Sequence, residues 1–195
     1  AIVDYDLEST SHTVQWLPLR EEWEEDRRFT TEYFLMGTHN EAEEGEDSEV
    51  NDYIMLCSVN IPKLNQGVSF DEDEDDLKKE LSKIKVVKSI DHPQDVSKAR
   101  AQLGNPNIVA SFTNEGNINL YDFDKEKLTL SLKGHDKYGF GLCWQPTIDD
   151  SESNILISGG TDSKAAVWDI NSRPNSKGEL RAVNTLTFHK NPVNC

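Results

Sequence analysis

The sequence predicts an all-β chain built from repeats of a four-stranded sheet, and three observations carry that prediction. The stretch from Gly134 to Asp169 opens GHDKYGFGLCWQP and closes ILISGGTDSKAAVWD, so Gly-His and Trp-Asp bracket two apolar runs with Ser158 and Asp162 between them. That arrangement is the pattern of one propeller blade. IVASFTNEGNINLYD (108–122) lies on ILISGGTDSKAAVWD (155–169) without a gap at an offset of 47 residues, with Ser111 on Ser158, Glu115 on Asp162, Tyr121 on Trp168 and Asp122 on Asp169. His92 stands upstream of the first copy as His135 does of the second. Finally, short β-rich runs closed by turn residues dominate the chain and helical spacing is nearly absent.

Taken in order, residues 1–11 have no usable period, and HTVQWLP (12–18) reads as a strand closed by Pro18. Within it TVQWLP (13–18) matches GLCWQP (141–146) and begins a third, weaker copy of the repeat. LREEWEEDRR is a charged loop in which Trp23 is either a packing anchor or an exposed contact. FTTEYFLMGT and NDYIMLCSVNIP are the next two strands, separated by the solvated insertion NEAEEGEDSEVN. Lys63 to Leu81 contains DEDEDD and cannot bury itself, although Leu77, Leu81 and Ile84 are also spaced for one face of a short helix. KIKVVKSI completes the first blade as its outer strand.

The second blade follows His92, with ARAQL as inner strand, NIVASFT and NINLYDF as the middle pair joined by the Gly116 turn, and KLTLSL outside. The third has FGLCWQP, NILISGG, KAAVWDI and AVNTLTF as strands, with QPTIDDSESN and NSRPNSKGE as loops. His189 then begins what would be a fourth. The expected blades are 12–91, 92–134 and 135–190, with acidic loops at 40–51 and 65–80.

The spacing of the repeated polar residues has a physical basis. Trp168 has an indole N–H, Ser158 a hydroxyl, His135 two ring nitrogens and Asp162 a carboxylate, so the four can pass hydrogen bonds in a chain that ties strands together. Ser, His and Asp are also the parts of an acyl-transfer triad. A nucleophile elbow, however, sits at a strand-to-helix turn, whereas Ser158 lies inside an apolar run followed by another strand. A structural network is the expectation, and neither catalysis nor a cofactor is implied.

The net charge of −16 is local: segments 21–52 and 71–80 hold 20 acidic and 4 basic residues, and the remainder balances at 16 and 16. Free nucleic acid is a poor partner for such a chain, since phosphates would be repelled and no basic stripe is present. The acidic runs suit either a basic protein partner or simple solvation. Three cysteines, Cys57, Cys143 and Cys195, give neither a disulfide framework nor a zinc spacing, and suggest a reducing compartment. No apolar stretch approaches the roughly 18 residues of a membrane span.

TVQWLP, LMGTHN, HPQDVSKARAQLGNPNIVA and GHDKYGFGLCWQP occur in that order. Together they resemble the histone-binding WD-repeat family of the retinoblastoma-binding proteins, which includes yeast-type subunits of the type B histone acetyltransferase and of chromatin assembly factor. The resemblance implies a seven-bladed WD-repeat β-propeller, of which about three blades are present here. It also implies a non-catalytic, nuclear and partly cytoplasmic scaffold subunit that holds core histones of the central tetramer for catalytic or chaperone subunits of a chromatin complex.

On the family pattern, His39, Asp95, Ser97, Tyr138 and Phe140 fall on a flat face that takes an extended histone tail. There an acid would pair a tail lysine and Phe140 would pack beside an arginine. Tyr138 departs from the pattern, standing where the family usually carries an acid. The run before HTVQWLP is shortened to TSHT, and the long helix and late acidic loop that form the family's second histone site are not among these residues. Asp95 can also be read as a turn-capping aspartate and His39 as a satisfied blade histidine. The rival assignment is a generic WD-repeat adaptor, such as a ubiquitin-ligase substrate receptor or a ribosome-assembly factor.

Overall fold

The computed structural model describes residues 10–22, 28–39, 52–63, 83–149 and 151–194. The expectations for Trp23, the insertion at 40–51, the acidic run at 65–80 and its helical alternative lie outside them, as does Cys195. Every element among the described residues is a strand: thirteen in chain order, grouped in three sheets. The described residues are all-β and form the sheets of a partial WD-repeat propeller.

The first sheet has four antiparallel strands in sequence order, β1 (Thr10–Glu22), β2 (Phe29–His39), β3 (Asp52–Pro62) and β4 (Ile84–His92). β1 is longer than its apolar pattern suggests. Pro18, expected to end it, sits within a register irregularity between Trp16 and Arg20, where a missing N–H costs no ladder bond. The second sheet runs β5 (Val96–Gln102), β6 (Asn105–Thr113), β7 (Ile118–Asp122) and β8 (Lys127–Lys133). The third holds β9 (Gly141–Trp144), β10 (Ile155–Gly159) and β11 (Ala165–Asp169).

AVNTLTF supplies the expected outer strand of the third sheet in shortened form, and the departure lies in the loop before it. β13 (Asn184–Leu186) does pair with β11, but the residues before it return to the neighbouring sheet as β12 (Glu179–Arg181), parallel to β8. The reason is burial. Leu180 is only 2% exposed and packs in a core with Leu132, Leu156 and Trp168, whereas β13 is exposed throughout.

The sheets pack face to face through two apolar cores. Leu35, Ile54, Ile90, Val96, Val109 and Tyr121 fill the space between the first and second sheets. Phe112, Leu120, Leu132, Leu142, Leu156 and Trp168 belong to the core shared by the second and third. The inner strands are laced by side chains onto backbone: Thr13 Oγ1 donates to the Ala99 carbonyl (3.2 Å), the Ala101 N–H donates to Gln15 Oε1 (2.9 Å), and the Trp144 indole donates to the Arg100 carbonyl (3.0 Å). Gly37 is required where the first two sheets approach, because a Cβ there would lie 2.5 Å from Val96 Cγ1. On the far side of the first sheet, Phe34, Met55, Cys57 and Val59 form a smaller cluster, and Trp16 lies edge-on to Phe34 while remaining 60% exposed.

Candidate functional site

The repeated polar residues meet in the third sheet. Ser158 on β10 and Trp168 on β11 face the same side, and the Trp168 Nε1–H donates to Ser158 Oγ at 2.8 Å. Ser158 Oγ lies 2.8 Å from His135 Nε2, and His135 Nδ1 is 3.1 Å from both oxygens of Asp162. One proton arrangement satisfies all of them: Nδ1–H donates to the carboxylate, Ser158 O–H donates to Nε2, and the hydroxyl oxygen accepts from the indole. Asp162 also accepts the Asp136 and Lys164 N–H groups. Burial alone would raise its pKa, but these backbone donors and the His135 ring outweigh it and hold the carboxyl below the usual range.

The same three residue types could act as a nucleophilic triad only if a carbonyl substrate reached Ser158. Ser158 is 1% exposed and Trp168 fully buried, and the hydroxyl is engaged on both sides. The network joins the loop at 135–136, two strands and the turn at 160–164.

In the second sheet the arrangement is abbreviated. His92 Nε2 lies 2.8 Å from Ser111 Oγ, but Nδ1 meets the Gln94 carbonyl, so the backbone takes the part that Asp162 plays. Glu115, aligned with Asp162 by sequence, is exposed in the β6–β7 turn and has no bond to His92. Tyr121 does not repeat the indole's bond either: its hydroxyl, further from the backbone than an indole nitrogen, is buried without a hydrogen-bond partner. Burial lowers the His92 pKa, partly offset by the Gln94 carbonyl and by Asp95.

The second constellation lies where the three sheets present neighbouring loops. His39 ends β2, Asp95 lies in the loop before β5, and Tyr138 and Phe140 precede β9. His39 Nδ1 is 3.5 Å from Asp95 Oδ2, with both side chains about one-fifth exposed, and Asn114 Nδ2 donates to the same oxygen at 2.8 Å. His12, on β1, stacks on His39 at 4.3 Å between ring centroids and approaches Phe140 edge-on at 6.4 Å. Phe140 is in turn edge-on to Tyr138 at 5.7 Å, and Tyr138 is 43% exposed.

The result is a row of four rings with one carboxylate at its end. Gly116, at φ 88°, lets the β6–β7 turn lie against the Lys137 backbone, where a Cβ would be 2.8 Å from Lys137 N. Thr161 Oγ1 and N–H both donate to the Tyr138 carbonyl and hold that loop to the third sheet. Ser97 behaves differently from the others: it is 5% exposed and not part of the row. His12 is not a residue that the motifs single out. It sits in the register irregularity between Thr10 and Thr13, and pairing of β1 with β2 brings it to His39, which no local pattern announces.

Comparison with known proteins agrees with this architecture. Residues 1–63 match the family of the histone-binding protein RBBP4 and its counterpart in the CAF1 complex. Among curated proteins, the chain is 30% identical to histone acetyltransferase type B subunit 2 of Aspergillus oryzae over 207 residues, covering 96% of this chain and 45% of that protein. It is also 30% identical to the Neurospora crassa protein of the same name, covering 96% of the chain, and 31% identical to that of Kluyveromyces lactis, covering 94%; each alignment takes in 44% of the relative. The chain belongs to the RBBP4-type histone-binding WD-repeat family. It spans about 45% of the length of these relatives. Within the RBBP4-type chain, the segment matched to the family carries His12 and His39, while Asp95, Tyr138 and Phe140 lie in the repeats beyond it.

Proposed function

We propose that this chain is part of a non-catalytic histone-binding subunit of a nuclear chromatin complex, and that the row His39, His12, Phe140, Tyr138 with Asp95 is the surface that takes a basic histone tail. The observation that carries this reading is convergence. Three sheets, remote in sequence, each deliver a side chain to one exposed strip that offers ring faces and one carboxylate. Lysine and arginine side chains suit such a strip, because their aliphatic stems and cationic heads pack on aromatic faces and their charge pairs with a carboxylate. The relatives' names support a partner set of core histones and a catalytic acetyltransferase subunit. Ser97, being buried, acts by supporting the loop rather than by touching the tail.

The test is calorimetric titration of a histone-tail peptide into the full-length protein at two salt concentrations. Exposed ionic contacts weaken as the screening length falls from about 10 Å at 0.1 M to about 3 Å at 1 M. Asp95→Lys should weaken binding more than Asp75→Lys, which places the same charge in the acidic run. Phe140→Ala should weaken it with little change in salt dependence. Equal losses at the two aspartates would mean diffuse electrostatics, and no loss at either would remove the assignment.

A further inference from the structure

The outer edges of the first and second sheets differ in one respect. β12 adds to β8 as a parallel fifth strand, pairing Glu179 with Ser131, Leu180 with Leu132 and Arg181 with Lys133, and Leu180 plugs the gap between the second and third sheets. The connection from β11 to β13, residues 170–183, is long enough to make this excursion. The corresponding connection from β7 to β8, residues 123–126, is a tight turn and cannot repeat it for the first sheet. Among the described residues β4 therefore has β3 as its one neighbour, and its other edge is open.

The position where a strand equivalent to β12 would lie follows from the repeat. Leu132, the partner of Leu180, stands opposite the buried Ile118 of β7, as Ile90 stands opposite the buried Ile54 of β3, so Ile90 takes the place of Leu132 in the first sheet. A cavity of about 380 Å³ lies there, lined by Ser89, Ile90, Asp91, Tyr121, Glu126 and Leu128 among others. Its apolar lining is Ile90, Tyr121 and the 45% exposed Leu128, and the Tyr121 hydroxyl is buried with no hydrogen-bond partner. Lys88 is engaged by the Phe123 carbonyl (3.2 Å) and Asp124 (3.8 Å), and the charged residues lining the cavity are Asp91, Glu126 and Lys127.

We propose that the open edge of β4 takes an extended segment of a partner protein as a parallel strand. An aliphatic side chain at the centre of that segment seats on Ile90, Tyr121 and Leu128, and a basic residue beside it faces Asp91 and Glu126. Unpaired strand edges bind extended peptides through backbone hydrogen bonds, with specificity from the alternate side chains that enter pockets. The same chain shows the solution one sheet away, in Glu179-Leu180-Arg181. This site is separate from the tail-binding strip and does not depend on that reading.

The probe is a fluorescein-labelled peptide copying residues 175–185 with Glu179→Lys, titrated by anisotropy into the full-length protein. Saturable binding is expected, weakened at least about tenfold by Leu128→Asp in the protein or by Leu180→Asp in the peptide. The unaltered peptide, with its glutamate, should bind more weakly than the lysine version. Glu126→Lys serves where Leu128→Asp does not fold, and should reverse that preference. No saturable binding, or equal affinity with and without Leu128→Asp or Glu126→Lys, would overturn the proposal. Binding only after removal of residues 64–82 would also overturn it, by showing that the chain's own segment holds the edge.

Discussion

Replacing Ser158 by alanine should cost more stability than the aligned change at Ser111, because the two hydroxyls sit in unequal networks. Ser158 Oγ both accepts the Trp168 indole N–H and meets His135 Nε2, each at 2.8 Å, and all three residues are under 9% exposed. Alanine orphans two buried polar groups at about 1–3 kcal/mol each, for a total of about 2–6 kcal/mol. Ser111 is fully buried but meets only His92 Nε2, since Tyr121 gives it no bond, so Ser111→Ala orphans one group and costs about 1–3 kcal/mol. Each kcal/mol moves the melting temperature by about 2–4 °C for a unit of roughly 150–250 residues, and by less for a longer cooperative unit. Urea unfolding of the full-length protein followed by tryptophan fluorescence, with melting by calorimetry, measures both variants. A double variant, Ser158→Ala with Trp168→Phe, should lose less than the sum of the two single changes, because the indole donor and its acceptor leave together. A Ser111→Ala cost equal to or above that of Ser158→Ala would refute the reasoning.

Further outcomes follow from titration and exposure. His92 has a pKa lowered chiefly by burial, so below its unfolded value of about 6.5 the unfolded chain takes up a proton that the folded chain resists. Its contribution is therefore present above pH 6.5 and lost as pH falls toward its folded pKa. Stability measured from pH 7 to pH 5 should decline, and His92→Gln should flatten that decline. Asp162, held below its ordinary value, acts in a lower window: its contribution is present above about pH 4 and lost as pH falls through the folded pKa, so Asp162→Asn should destabilise at pH 7 and matter little near pH 2. Burial pushes the Cys57 thiol up to about 11, whereas Cys143 is exposed. Iodoacetamide at pH 8 should label Cys143 before Cys57, which stays protected until unfolding, as read by peptide mass mapping.

What the sequence by itself determined is the repeat and the strand content. Alternation and turn residues are local, so ILISGGTDSKAAVWD and its copy at 108–122 announced two hairpins, and the structure pairs β10 with β11 and β6 with β7 in matching registers. The residues that distinguish the family are likewise contiguous, in GTH, KAR and GHDKYGFGLCW. Wherever contacts join residues remote in the chain, only the tertiary structure decided. The excursion of β12 depends on a gap that Leu180 fills between two sheets, and no pattern within NSRPNSKGELRA reveals that gap. The exchange of Glu115 for the Gln94 carbonyl depends on which acceptor reaches His92 Nδ1. The stacking of His12 on His39 depends on a register shift in β1. Side-chain periodicity records which face of a strand is buried, but the identity of the neighbour across that face is set by the packing of whole sheets.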